Sequence, residues 1–146
     1  MDETDEMMMA EWRSLGFYYD IDGKATNKEW TFYGSRKGLF NFVQILEDYT
    51  SLKANDVISE HNHYGPYNYL KITTWHNAEI SEDSIAGTIK DLIYLKELIA
   101  AKLANAQIGQ SFSIDKEYGI DNTAGAIFYV MSDDFDPVSM DGNYNK

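Results

Sequence analysis

Residues 28–50 read KEWTFYGSRKGLFNFVQILEDYT, and this stretch predicts a strand that passes directly into a helix. Residues 28–33 are dense in β-formers, as expected of a strand. Ser35 is a sound helix N-cap, and apolar residues then recur over residues 36–50 at the spacing of one helical face. We therefore expect this helix to pack its apolar stripe on the sheet. The stripe consists of Leu39, Phe42, Val43, Leu46 and Tyr49.

The same alternation of strands and helices extends from this stretch in both directions. Residues 11–20 are rich in β-formers and predict a strand that pairs with the next one as a hairpin. A second amphipathic helix, near residues 89–105, begins at a sequence that resembles a capping box. Further strands are predicted at residues 67–75, 84–87, 111–115 and 126–131. The predicted fold class is α+β: a mostly antiparallel sheet of about five or six strands with two helices packed on one face.

Length and composition predict one domain between two acidic ends. The 146 residues, 44% of them hydrophobic, are enough for one proper core. We expect residues 1–9 to be a flexible acidic tail, residues 10–132 to form a single α+β domain, and residues 133–146 to be an acidic C-terminal tail. The chain has no cysteine, no apolar run near the ~20 residues that span a bilayer, and no signal-peptide pattern. Together these features favour a cytoplasmic protein.

The charge of the chain limits the classes of partner. Twenty-four acidic residues against 12 basic ones give a net charge of -12. Such a field repels nucleic-acid phosphates and anionic lipid, so neither nucleic acid nor a membrane is expected as a partner, whereas a basic protein would be attracted. Ordinary solubility is the alternative explanation of the same charge.

The three histidines lie within residues 61–76, and two of them form a His-x-His pair beside Glu60. On an extended segment, His61 and His63 project their rings to one side, which is a metal-ligand geometry. No spacing fixes a further ligand, so neither a metal nor a cofactor is expected, and hydrogen bonds to the local backbone are the simpler interpretation. A small metal- or His-dependent hydrolase that uses the Glu60-His61-His63 cluster remains the alternative function.

Tyrosines follow the histidine pair at Tyr64, Tyr67 and Tyr69, in a chain that has 11 of them. Tyrosine contributes a large contact area and a hydrogen bond at low entropic cost, so it is concentrated in protein interfaces. The alternative is that these side chains rim the core with their hydroxyls in water. Both interpretations remain open at this point.

Five stretches of the chain carry a resemblance to a known family. They are residues 16–20 (GFYYD), 33–35 (YGS), 60–71 (EHNHYGPYNYLK), 85–88 (IAGT) and 134–137 (DFDP). These stretches resemble immunity proteins of bacterial polymorphic toxin systems. The resemblance implies a small cytoplasmic α+β protein, not an enzyme, that binds and neutralises a cognate toxin, often a nuclease, and the charge of the chain favours a basic one. The partner-binding positions it implies are Glu60, His61, His63, Tyr64, Tyr67 and Tyr69.

Overall fold

The computed structural model describes residues 2–22 and 28–144. Within these ranges the chain forms three α-helices, eight β-strands and two short 3₁₀ helices. The helices are α1 (Glu3–Leu15), α2 (Arg36–Ser51) and α3 (Ile89–Asn105), and the 3₁₀ helices span Lys53–Asn55 and Pro137–Met140. The strands are β1 (Phe17–Asp22), β2 (Lys28–Gly34), β3 (His61–Tyr64), β4 (Leu70–Thr74), β5 (Glu79–Ile80), β6 (Ile85–Gly87), β7 (Ser111–Ile114) and β8 (Ala124–Val130). No helix in the described ranges is long and apolar enough to cross a membrane.

The strands form two sheets of four, in the orders β1-β2-β8-β7 and β3-β4-β6-β5. Each sheet contains two antiparallel pairs, which are joined by a parallel pairing of their inner strands. The inner strands are β2 and β8 in the first sheet and β4 and β6 in the second. The predicted α+β class is confirmed, but the single mostly antiparallel sheet with two helices is corrected to two mixed sheets with three helices. Short links fix the antiparallel pairing inside each hairpin, whereas the direction in which two hairpins meet depends on long-range packing.

Helix α2 joins the two sheets. In the first half of the helix, Phe42 packs edge-on against Phe17 of β1 and Phe32 of β2, with its ring centroid 5.7 and 5.0 Å from theirs. At its other end, the Tyr49 hydroxyl lies 2.7 Å from the Thr74 hydroxyl of β4. The predicted apolar stripe of α2 is buried throughout, and α3 packs on α2. The bounds predicted for both helices agree with the structure to within one residue.

Helix α1 replaces the first half of the strand that the sequence predicted at residues 11–20, and β1 forms from Phe17 onward. The Asp2 carboxylate caps the helix by accepting a hydrogen bond from the Asp5 amide at 2.9 Å. Gly16 ends it in the left-handed conformation, with φ 88°, and donates its amide to the Trp12 carbonyl at 3.0 Å. The strand prediction was therefore wrong up to Leu15, because these two caps outweigh the β propensity of the residues between them.

The two acidic ends of the chain lie against each other beside β1. The indole Nε1 of Trp12 donates to the Asp141 carboxylate at 2.9 Å, and Arg13 forms a salt bridge with Asp136 at 3.0 Å. Residues 1–9, predicted as a flexible tail, thus lie largely in α1, and residues 133–144 of the predicted C-terminal tail contain the second 3₁₀ helix. Met1 and the last two residues lie outside the described ranges.

Candidate functional site

A cleft of about 290 Å³ opens along the edge of β1, between α1, the loop before β4 and the C-terminal segment. We call it the β1 cleft. Six of its ten lining residues are tyrosine or tryptophan, and two are aspartate, while none of these lining residues is basic. They are Trp12, Tyr18, Tyr19, Asp20, Ile21, Trp30, Tyr67, Tyr69, Asp141 and Asn143.

Strand β1 and helix α1 form one wall of the β1 cleft. Tyr18 and Tyr19 are successive residues of a strand, so their side chains point to opposite faces of the sheet. The buried Trp12 of α1 packs against both, with ring centroids 4.8 Å from Tyr18 and 5.3 Å from Tyr19. The Tyr19 hydroxyl donates to the Tyr64 carbonyl at 2.6 Å and so ties β1 to the opposite wall.

The loop that joins β3 to β4 forms the opposite wall. Gly65 and Asn68 both have positive φ, 90° and 58°, which closes a tight turn between the two strands. A Cβ atom at Gly65 would collide with the Tyr19 ring, so only glycine lets this turn lie against β1. The turn presents Tyr67 and Tyr69 side by side, with rings stacked 5.8 Å apart.

Asp141 is a buried carboxylate in the wall of the β1 cleft. It is 3% exposed and accepts hydrogen bonds from the Tyr67 hydroxyl at 2.6 Å, the Trp12 indole at 2.9 Å and the backbone amide of Asn143 at 2.9 Å. Burial by itself would raise the pKa of Asp141, but these bonds, that from Tyr67 foremost, hold the pKa below its ordinary value. The carboxylate is therefore ionised at neutral pH. Within residues 2–22 and 28–144 it forms no salt bridge.

Three tyrosines of the β1 cleft, Tyr18, Tyr19 and Tyr67, have a raised pKa and are neutral at physiological pH. Burial, followed by the nearby charges of Asp20 and Asp141, raises the pKa of Tyr18 to about 12. Burial and the hydrogen bond to Asp141 raise the pKa of Tyr67 to about 12. Asp20 is exposed, and its carboxylate accepts from the Ile21 amide at 2.9 Å. The charge that the described lining presents is thus negative and comes from two aspartates.

A row of three tyrosines continues from the cleft onto the open face of the first sheet. Tyr18 pairs with Tyr33 across β1 and β2, and Tyr33 pairs with Tyr129 across β2 and β8. Their ring centroids are 6.4 and 4.8 Å apart, and each side chain is half-buried. Because these residues alternate with the buried ones that face α2, the row lies on the face opposite that helix. Aromatic surface thus extends beyond the cleft itself.

The structure separates the six residues that the sequence singled out as a site. Tyr67 and Tyr69 line the β1 cleft. Tyr64 is half-buried and lines a neighbouring depression between α1 and α2. Glu60, His61 and His63 are exposed and do not line the cleft.

The two histidines lie on β3, at the edge of the second sheet. Their rings are 5.2 Å apart, on one side of the strand as the alternation predicts. Nδ1 of His61 lies 3.0 Å from the Ser59 carbonyl, and Nδ1 of His63 lies 2.9 Å from the Asn68 carbonyl. Since a carbonyl only accepts, each Nδ1 carries the proton in these bonds. In the part of the chain that the structure describes, no three His, Asp or Glu residues are grouped as metal ligands.

Several residues of the cleft were not singled out from the sequence. Trp12 and Asp141 are 129 positions apart, so no local pattern could bring them together. The adjacent pair Tyr18-Tyr19 is a usable signal, because tyrosine is concentrated in protein interfaces, but its β propensity accounts for the pair as part of a strand. The residues missed as site positions are Trp12, Tyr18, Tyr19, Asp20, Ile21, Trp30, Asp141 and Asn143.

Comparisons with protein-family models, with curated proteins and with solved structures found no match for this chain. The resemblance of the five stretches to immunity proteins therefore stays a prediction.

Proposed function

We propose that this protein is a stoichiometric inhibitor that binds a cognate bacterial toxin and neutralises it, as the resemblance to immunity proteins implies. The observation that carries this proposal is the β1 cleft, which is lined by six aromatic side chains, three of them accessible, and by two aspartates, with no basic residue in the described lining. Aromatic residues supply most of the energy of protein interfaces, and negative charge selects a basic partner. A basic protein is the partner that fits both properties.

The aromatic surface around the cleft supports a protein partner better than a small molecule. A stable protein interface buries roughly 800 Å² on each side, which is more than one cleft can provide. The row Tyr18, Tyr33 and Tyr129 adds contact area that is continuous with the cleft through Tyr18. A toxin that covers both would bury aromatic side chains over a larger area than the cleft alone provides.

The net charge of -12 supports rapid capture of a basic partner. Long-range attraction raises association rates, and salt screens it with a Debye length of about 8 Å at 0.15 M. We therefore expect the association rate with the toxin to fall as salt rises past roughly 0.15 M, while the dissociation rate changes less.

The rival function, a metal- or His-dependent hydrolase, has less geometric support. Both histidine rings are exposed, and each is held by a backbone carbonyl instead of a carboxylate. The Glu60 carbonyl accepts from the Tyr49 hydroxyl at 2.9 Å, which gives the backbone of this residue a structural role. A hydrolase would need these three residues to act on a common substrate atom.

The decisive experiment is protection of cells from the toxin. The product of the neighbouring gene, tested as the candidate toxin, would be expressed with the wild type, with Tyr69→Ala, or with Tyr94→Ala. Tyr69 and Tyr94 are 65% and 51% exposed, so neither substitution should unfold the chain, and only Tyr69 lines the cleft.

We expect the wild type and Tyr94→Ala to protect fully and Tyr69→Ala to protect less at matched expression. If the wild type gives no protection, the proposed function is wrong. If the wild type protects and Tyr69→Ala protects just as well at limiting expression, the function stands but the proposed surface does not.

A further inference from the structure

The β1 cleft has the chemistry of a receptor for one cationic side chain. We propose that it receives an arginine side chain of the basic partner protein, whose guanidinium lies against the accessible rings of Tyr18, Tyr67 and Tyr69, beside Asp20 and within the field of the buried Asp141. This proposal rests on the proposed function for the identity of the partner. The affinity of the cleft for a guanidinium can be tested without any toxin.

The first reason is the state of Asp141. A buried carboxylate that stays ionised is normally paired with a cation, because burial without one is costly. Asp141 is 3% exposed, its pKa is held below the ordinary value by hydrogen bonds, and it forms no salt bridge within the described ranges. Within the described residues its partners are neutral donors, and the cleft that it lines carries the exposed carboxylate of Asp20 as well.

The second reason is the arrangement of the rings. Trp12 meets Tyr67 at 71° and Tyr19 at 63°, so the aromatic side chains form walls at steep angles and not one stack. Tyr69 then extends the Tyr67 wall outward, stacked on it at 29°. Trp12 and Tyr19 are buried behind these walls, whereas Tyr18, Tyr67 and Tyr69 are accessible, and such rings attract a cation through their π faces, more strongly when water is displaced.

Arginine fits these walls better than lysine does. Its guanidinium is planar, stacks on aromatic rings and donates to a carboxylate through two parallel N–H groups. Lysine carries a compact and strongly hydrated charge that would lose more hydration in a cleft of rings. An uncharged apolar side chain would displace water from both aspartates and offer them no donor, which is unfavourable.

The size of the cleft is in keeping with one side chain. Small-molecule sites begin at roughly 300 Å³, and the volume of about 290 Å³ lies at that lower limit. The negative charge of the lining also disfavours a phosphate or carboxylate ligand. One arginine entering here would serve as an anchor, surrounded by the flatter contact that the tyrosine row provides.

The test uses two capped tripeptides, acetyl-Gly-Arg-Gly-amide and its citrulline counterpart, in which a neutral urea replaces the guanidinium. Binding is followed by NMR at the indole N–H signals of the purified full chain. Trp12 and Trp30 line the cleft, while Trp75 follows β4 in the other sheet and serves as an internal reference. We expect the arginine peptide to shift the Trp12 and Trp30 signals and leave Trp75 unchanged, with the citrulline peptide binding about tenfold more weakly.

Two variants locate the binding. Asp20→Asn keeps an acceptor for the Ile21 amide, so the strand should stay intact while the charge is lost, and we expect the arginine peptide to bind several-fold more weakly. The matched control is Asp56→Asn, an exposed aspartate that does not line the cleft, for which no change is expected. Equal binding of both peptides, a larger shift of Trp75, or equal loss in the two variants would overturn the proposal.

The outcome also separates this proposal from the function on which it rests. Selective binding of the arginine peptide by a protein that gives no protection from the toxin would uphold the cleft chemistry and reject the proposed function. Protection without selective binding of the arginine peptide would uphold the proposed function and reject the cleft chemistry. A lysine tripeptide that binds more tightly than the arginine one would reject the guanidinium as the group recognised.

Discussion

Strands β1 and β3 occupy equivalent edges of two sheets that share one strand pattern, yet their surroundings differ. At β1, helix α1 and the C-terminal segment meet the strand and bury Trp12 and Asp141. At β3, residues 61–63 are exposed, and the two histidines bond to carbonyls at most five positions away. Unusual composition marks the β3 edge, whereas convergence of distant segments marks the β1 edge. For a binding site, the convergence is the more informative feature.

The largest expected difference between the two regions is in stability. Trp12 is 1% exposed and joins α1 to β1 and to Asp141, while Trp75 is 41% exposed beside the second sheet. We expect Trp12→Ala to lower the free energy of unfolding by about 3–5 kcal/mol, because burial and a hydrogen bond are both lost. Trp75→Ala should cost less than about 1 kcal/mol. Urea unfolding of both variants is the measurement, and equal losses would mean that Trp12 does not anchor the chain ends.

The charge of Asp141 should have a smaller effect on the free energy of unfolding, and this effect should depend on pH. The pKa of Asp141 is lower in the folded chain than its ordinary value, so its ionised form adds stability above about pH 4. This contribution is lost as the pH falls through the folded pKa. Asp141→Asn should therefore cost about 1.5–3 kcal/mol at pH 7, where charge-assisted hydrogen bonds are lost, and less at pH 3.

The control for this pH dependence is Asp56→Asn, which removes an exposed charge. It should change stability by less than about 0.5 kcal/mol at either pH. Comparing the two variants with the wild type by urea unfolding isolates Asp141 from the other carboxylates that titrate over the same range. A cost of Asp141→Asn that stays constant from pH 7 to pH 3 would contradict the assignment of an ionised buried carboxylate.

The smallest expected effect is the change in melting temperature when a chelator is added to remove any metal from the β3 edge. We expect protein purified without metal-affinity resin to contain no stoichiometric transition metal, and a chelator to leave its melting temperature unchanged. The physical reason is that His61 and His63 have local backbone partners and no third ligand within the described residues. One equivalent of zinc by elemental analysis, lost in His61→Ala or His63→Ala, would instead favour the hydrolase.

Local signals account for the parts of the fold that the sequence predicted. In α2 the Ser35 hydroxyl accepts from the Gly38 amide at 3.0 Å, and in α3 Thr88 and Asp91 exchange both bonds of a capping box. Helix α1 carries the same kind of signal in its Asp2 cap and the Gly16 stop, so it was open to prediction. The β-formers on both sides of Gly16 instead favoured a strand over a helix in the prediction for residues 11–20.

Non-local pairing accounts for what the sequence did not predict. Strands β2 and β8 pair in parallel, although most of the chain lies between them in sequence. Their pairing depends on the packing of α2 and α3. Strand β3 was missed because it is short and polar. For the site, the sequence identified Tyr67 and Tyr69 by composition, but Trp12 and Asp141 become neighbours only in the folded chain.

The affinity of the toxin for two matched variants tests most directly whether the β1 edge or the β3 edge binds it. One variant is Tyr69→Ala, and the other is the double variant His61→Ala, His63→Ala; all three side chains are exposed, so both proteins should fold. We predict that Tyr69→Ala weakens binding by about 2 kcal/mol, or about 30-fold, and that the double variant weakens it less than about threefold. A large loss in the histidine variant with no loss in Tyr69→Ala would place the interface at β3 and contradict the assignment to the β1 cleft.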